Sequence, residues 1–265
     1  MGLYTTNFLL ESNSIPEADL NDHSTKLQQL YIAYFGRAAA PHGLDSWISE
    51  GVSTKDFAAI MYEQPEFNSV NAGLSVKEQI NQLYLNLFDR DAKEEGLNYW
   101  ANEIESGRLE LASIANDLIY NVYNTTIGAA DKLVLNNKTN VAVEYTSQIS
   151  ASDAAIDSYV ASSTDPWVNG AALTEAIDFM STINGDNKAT TSDIEDSITN
   201  FSTSNRFKAS LDHYHPDQNL KHSNSLGSNY LGTLNTLTEP NNDFLDNFSD
   251  TMNNSTFCTD TTGLG

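Results

Sequence analysis

Four carboxylates, Asp89, Asp91, Glu94 and Glu95, crowd into the stretch DRDAKEEG. Calcium is bound by oxygen ligands, so Asp89, Asp91 and Glu95 are candidate metal residues and calcium the candidate cofactor. Further along, Asn184-Gly185-Asp186-Asn187-Lys188, followed by Thr190, Ser192 and Glu195, has the outline of a calcium loop ending in a glutamate. It departs from an EF-hand at its centre, with lysine in the fifth position and Ala189 in place of the turn glycine. A turn and a helix cap are the simpler reading. His213, His215, Asp217 and His222 are side-chain types that bind transition metals. Pro216 interrupts them in polar sequence, and a fortuitous surface cluster is the default.

No GxSxG, Walker or HExxH motif is present, and no pair of carboxylates is singled out for glycoside hydrolysis. The expectation is a protein without enzymatic activity, with a carbohydrate-active enzyme as the least favoured alternative.

Internal repetition tests each candidate. Residues 29–47 read QLYIAYFGRAAAPHGLDSW and residues 82–100 read QLYLNLFDRDAKEEGLNYW. At constant spacing Tyr31 pairs with Tyr84, Phe35 with Phe88, Arg37 with Arg90, Gly43 with Gly96, Leu44 with Leu97 and Trp47 with Trp100. The acidic loop has no counterpart, because GRAAAPHG contains no carboxylate, so metal binding is not a property of the repeated unit. The shared arginines read as clamps that bond helix-end carbonyls and pair with a carboxylate on the following helix. Trp47 and Trp100 have the chemistry to stack on sugars, but aromatic residues on amphipathic helices are more often core.

Helices must position these residues. Leu27, Leu30, Tyr31, Tyr34 and Phe35 recur at helical spacing, as do Ile80, Leu83, Tyr84, Leu87 and Phe88. Thr25 with Gln28, and Ser75 with Glu78, have capping-box spacing. A short polar loop then stops each helix, and Gly43 and Gly96 are expected to supply a backbone conformation closed to other residues before a second helix carrying the tryptophan. A third helix follows, through Phe57, Ile60 and Met61 in one unit and Ile114, Leu118 and Ile119 in the other.

The predicted fold is all-α: tandem three-helix modules, a further helical subdomain and a flexible tail. The boundaries are a lead at 1–24, modules at 25–70 and 71–122, a helical subdomain at 123–215 and a polar tail at 216–265. Within the subdomain Leu173, Ala176, Ile177, Met180 and Ile183 form an apolar stripe. Ser192 with Glu195 offers another capping box. The tail is too poor in apolar residues to offset its chain entropy.

Charge narrows the partners. The 265 residues carry 36 acidic and 13 basic side chains, a net charge of -23, with a pI near 4.2. Such a field repels nucleic acid and anionic lipid. Cys258 is the only cysteine, which excludes a disulfide framework and a cysteine-based zinc site. The first residues lack the pattern of a cleaved secretory signal, and no segment has the length of a membrane span.

The pattern L-Y-x-x-x-F-x-R, a loop and G-L-x-x-W, present twice over residues 26–122, resembles a helical domain of unknown function found in bacterial S-layer proteins and type I-secreted calcium-binding-repeat exoproteins. That domain is distantly similar to phycobilisome linkers. The stretch NKTNVAVEYTSQI resembles the segment that follows such repeats in surface-layer proteins. The resemblance implies an extracellular or cell-surface module, exported without a cleaved signal peptide, that binds cell-envelope polysaccharide or sister subunits. The glycine-aspartate nonapeptide array of the calcium-folded lattice half does not occur. The linker-like alternative is an intracellular scaffold in the cytoplasm.

Overall fold

A computed structural model describes residues 13–125, 128–160 and 169–212, with side chains described through residue 202. All of these fall within one compact unit, Met1–Asp217. The fold is all-α, and no strand occurs among the described residues. The tail at 216–265 and the histidines from His213 onward lie outside the described residues.

Apolar residues at helical spacing build α1 (His23–Phe35), α2 (Pro41–Ser49), α3 (Thr54–Tyr62) and α4 (Pro65–Val70) in the first unit. The second holds α5 (Val76–Phe88), α6 (Glu94–Glu105), a 3-10 turn (Leu111–Ser113) and α7 (Ile114–Asn124). Then come α8 (Ala129–Ser150), α9 (Asp153–Ser158), α10 (Ala171–Ser181) and α11 (Thr191–Asp212). The first unit therefore carries a fourth short helix beyond the three expected. It begins at Pro65, a residue suited to the first turn because the missing N–H would have no helical partner there.

The central element is α1. Every residue from Leu27 to Phe35 is buried, and α1 packs against α2, α3, α4, α5, α7 and α8. Its start differs from the capping-box expectation. The helix begins at His23 after Asp22, and Thr25 and Gln28 lie inside it, buried. Burial takes Gln28 for a tertiary role, whereas the second unit's exposed Ser75 and Glu78 form the expected reciprocal cap.

The long helix α8 crosses both units, packing on α1, α2, α5 and α7, and carries α9, α10 and α11 on its other side. Tyr145 of α8 and Tyr159, just after α9, stand at the centre of this side with rings 6.1 Å apart, Phe179 lying against Tyr145 and Phe201 against Tyr159. The start of α11 is capped two residues earlier than Ser192 and Glu195 implied. Thr190 N–H donates to Asp193 Oδ2 at 2.7 Å, and Asp193 N–H donates to Thr190 Oγ1 at 3.3 Å. The lead also serves this end, since Asn13 accepts from the amides of Thr191 and Ser192.

Candidate functional site

The shared landmarks converge on one construction, made twice. Trp47 Nε1 donates to Tyr31 Oη at 3.2 Å, and Trp100 Nε1 donates to Tyr84 Oη at the same distance. Both indoles are buried, with Leu44 beside Trp47 in the core and the matching Leu97 half-buried. Phe35 and Phe88 are buried on the helix that carries each tyrosine, and their rings lie 5.8 and 5.6 Å from it. The tryptophans are thus spent on packing.

Gly43 and Gly96 have a different reason from the one expected. Both lie inside the second helix with ordinary helical backbone. A Cβ on Gly43 would meet Tyr31 Oη at 3.3 Å, and one on Gly96 would approach Tyr84 Oη at 3.7 Å. At Gly43 the missing side chain lets the tyrosine come close, whereas 3.7 Å at Gly96 is ordinary van der Waals contact and would admit a Cβ. The left-handed backbone sits at the end of the first helix instead, at Gly36 (φ 65°) and its counterpart Asp89 (φ 54°). Gly36 N–H closes on Ile32 O, and Asp89 N–H on Leu85 O.

Each arginine makes a forked bond to a carboxylate. Arg37 Nε and Nη2 donate to Glu66 at 2.8 and 2.7 Å, and Arg90 Nε and Nη2 donate to Asp131 at 2.7 and 2.6 Å. Nη1 in each case donates at 3.0 Å to the carbonyl of the next residue, Ala38 or Asp91. The acids do not lie on the following helix, as the clamp expectation had it. Glu66 belongs to α4 and Asp131 to α8, so the first clamp closes its own unit while the second fastens its unit to α8. Burial alone would lower the Arg37 pKa, but the Glu66 charge and its hydrogen bonds outweigh burial and raise it.

A further duplicated contact escaped the sequence comparison. Gln28 Oε1 accepts from Ala39 N–H at 3.0 Å, and Asn81 Oδ1 from Ala92 N–H at 2.8 Å. These residues stand one position upstream of the aligned windows, and their types differ, so only a longer comparison would pair them.

The loops differ because their surroundings do. Ala38 and Ala39 are fully buried, against the expectation of a polar loop. Tyr159 Oη donates to Ala38 O at 2.8 Å, Thr146 Oγ1 donates to Ala39 O at 2.8 Å, and Gln28 Nε2 donates to Thr146 Oγ1 at 2.6 Å. Among the described residues no comparable cover lies on the second loop, where Asp89 and Asp91 are exposed. There Asp89 caps α5, Asp91 Oδ1 accepts from Asn81 Nδ2 at 2.7 Å, and Glu94 and Glu95 occupy the first turn of α6, where acids suit the helix dipole. Among the described residues no three His, Cys, Asp or Glu side chains gather as a metal site. Asn184 Oδ1, in the calcium-loop outline, accepts from the amides of Asp186 and Asn187 and so closes a turn.

Two ionisable groups, the buried Lys138 and the half-buried Asp117, had no sequence signal. Lys138 Nζ donates to Asn86 O at 2.7 Å and Leu85 O at 3.3 Å, the last carbonyls of α5, and burial pulls its pKa down to about 8. When buried Phe57, Ala58 and Met61 are aligned with Ile114, Ala115 and Leu118, Asp117 falls where α3 has the buried Ile60. Its Oδ2 is shut from solvent with no donor among the described residues, and burial raises its pKa to about 6.

Residues 58–119 match the family described as a domain of unknown function, DUF4214. The match takes in the whole second landmark set, Tyr84 to Trp100, and begins within α3, so the first set lies outside it. No curated protein and no solved structure matches the chain. No helix among the described residues is long and apolar enough to cross a membrane.

Proposed function

We propose that this chain is a non-enzymatic scaffold module of an extracellular surface-layer or type I-secreted protein, binding cell-envelope polysaccharide or sister subunits. The observation that carries the reading is that the repeated residues are spent on packing. The tyrosine–tryptophan bond and the forked arginine are built twice, while the loops and surfaces of the two copies diverge. Duplication that preserves a frame and frees its surface suits assembly and attachment better than turnover, which needs a convergent reactive set. The net charge of -23 supports a partner that is neither nucleic acid nor anionic lipid, and gives divalent cations a surface rich in oxygen ligands.

The repeated motifs resemble those of surface-layer and exported proteins, and the DUF4214 match over residues 58–119 supports the presence of a recurring domain in the second unit. Fractionation of native cells with and without a calcium chelator tests it. The protein is expected with the envelope or the medium, and chelation is expected to shift it from the former to the latter. Confinement to the cytosol would overturn the proposal.

A further inference from the structure

The Arg37 guanidinium lies against three rings. Tyr31 and Phe35 of its own unit stand 5.6 and 5.2 Å away, and Tyr159, from just after α9, stands 5.8 Å away. Tyr159 Oη also donates to Ala38 O, the carbonyl to which Arg37 Nη1 donates, so that oxygen uses both lone pairs. The ring face attracts the cation, and the hydroxyl bond fixes where the ring sits. Tyr159 is thus a plug that closes the first loop from outside its own repeat.

The second unit builds the same seat. Arg90 lies 5.3 Å from Tyr84 and 5.9 Å from Phe88, and its Nη1 donates to Asp91 O at 3.0 Å. Among the described residues no third ring joins them, and Arg90 stays 40% exposed beside the exposed Asp91. The opening extends along α5. Tyr84 and Leu97 are half-buried where Tyr31 and Leu44 are buried, and Leu85 is exposed where Ile32 is fully buried.

The chain also carries a plug without a seat. Tyr120, on α7, is 56% exposed, the most of any large apolar or aromatic side chain among the described residues. Its neighbours three and four positions away along α7 are Asn116, Asp117, Tyr123 and Asn124, so a single carboxylate accompanies it toward an acidic loop.

We infer that Tyr120 of one copy seats on Arg90 of a second copy, its ring over the guanidinium and its hydroxyl donating to Asp91 O. The inference rests on the sister-subunit reading above and names its contact. Seat and plug are different patches of one chain, so the contact joins copies head to tail or reciprocally in a closed pair. The net charge of -23 opposes association, while the contact itself needs only a ring, a hydroxyl and one arginine. Added salt is therefore expected to strengthen it, by screening the repulsion between copies.

A single seated side chain makes a contact below the standard size, so binding is expected to be weak, with a Kd of about 0.1–1 mM. The test is an NMR dilution series of the full chain across that range, at low and at high salt. Shifts that grow with concentration are expected at Arg90 Nε–H, the Asp91 amide and the Tyr120 ring. Both Tyr120 and Asp91 are exposed, so Tyr120→Ser removes the plug, and Asp91→Trp covers the seat, with the Tm unchanged. Each variant alone is expected to lose the shifts. Labelled Tyr120→Ser mixed with unlabelled Asp91→Trp is expected to recover them at Arg90 and Asp91, since one supplies the seat and the other the plug. Spectra independent of concentration, shifts that map elsewhere, seat shifts that persist in Tyr120→Ser, or a mixture no different from its parts would each overturn the inference. These readouts use purified chain, so they stand apart from the cell fractionation: a cytosolic chain sinks the surface-protein reading, and silent spectra sink only this contact.

Discussion

Arg37 and Arg90 make the same forked bond in different surroundings, and the surroundings set what each bond is worth. The Arg37 and Glu66 side chains are 7% and 6% exposed, whereas Arg90 is 40% exposed. Breaking a buried pair strands a charge in the core, at a cost of about 3–5 kcal/mol, while a solvated pair contributes about 1 kcal/mol or less. Urea unfolding is therefore expected to show a large loss for Glu66→Ala and a small one for Asp131→Ala. Equal losses would mean that the two clamps are energetically equivalent. Asp117 is a second residue-scale case. Its folded pKa, about 6, lies above its ordinary 3.8, so the folded state holds the proton more tightly than the unfolded chain does. Its contribution favours folding fully below pH 3.8 and is lost as pH rises through 6. Asp117→Asn is expected to raise stability at pH 7.5 by about 1–3 kcal/mol and to flatten the pH dependence between 4 and 6. Thermal melts across that range check it; an unchanged slope would show that Asp117 is well solvated.

At the scale of elements, the end of α5 shows how one residue type is chosen against another. Asp89 stands in a left-handed conformation where the first unit uses Gly36. An L-residue is strained there, although aspartate tolerates it better than most. Lys138, bound at the last carbonyls of α5, is also stabilised in its charged form by the Asp89 carboxylate. Asp89→Gly is expected to change the Tm little, because relief of strain offsets the lost charge pairing. In a Lys138→Met background the same substitution is expected to stabilise, by roughly 0.5–1 kcal/mol. A double-mutant cycle measures the difference, and additive effects would remove the proposed coupling between Asp89 and Lys138.

At the scale of the molecule, α1 and α8 join what the repeat makes look separable. Gln28, Ala38 and Ala39 from the first unit bond Thr146 and Tyr159 from beyond the second, across more than a hundred residues of chain. Residues 13–212 are therefore expected to unfold as one cooperative body. Native-state hydrogen exchange should give the α1 and α8 amides the same opening free energy. Markedly earlier opening of α8 would show that the two units stand without it.

The amphipathic periodicities, the repeated landmarks and the capping box at Ser75 were legible because they are local: each depends on spacing along a few turns of one helix. By itself the sequence determined an all-α chain, a duplicated aromatic and arginine frame, and an acidic loop that the frame does not require. Tertiary structure decided what those residues touch. It gave the two arginines carboxylates from different helices, buried one loop under α8 while leaving the other in water, and turned Gln28 from a cap into a bridge. It also withdrew the Asp117 carboxyl from solvent and formed a cleft against α11. These outcomes depend on which surfaces meet across long stretches of chain, and burial, not spacing, then sets whether a polar group is a solvated ornament, a clamp or a binding element.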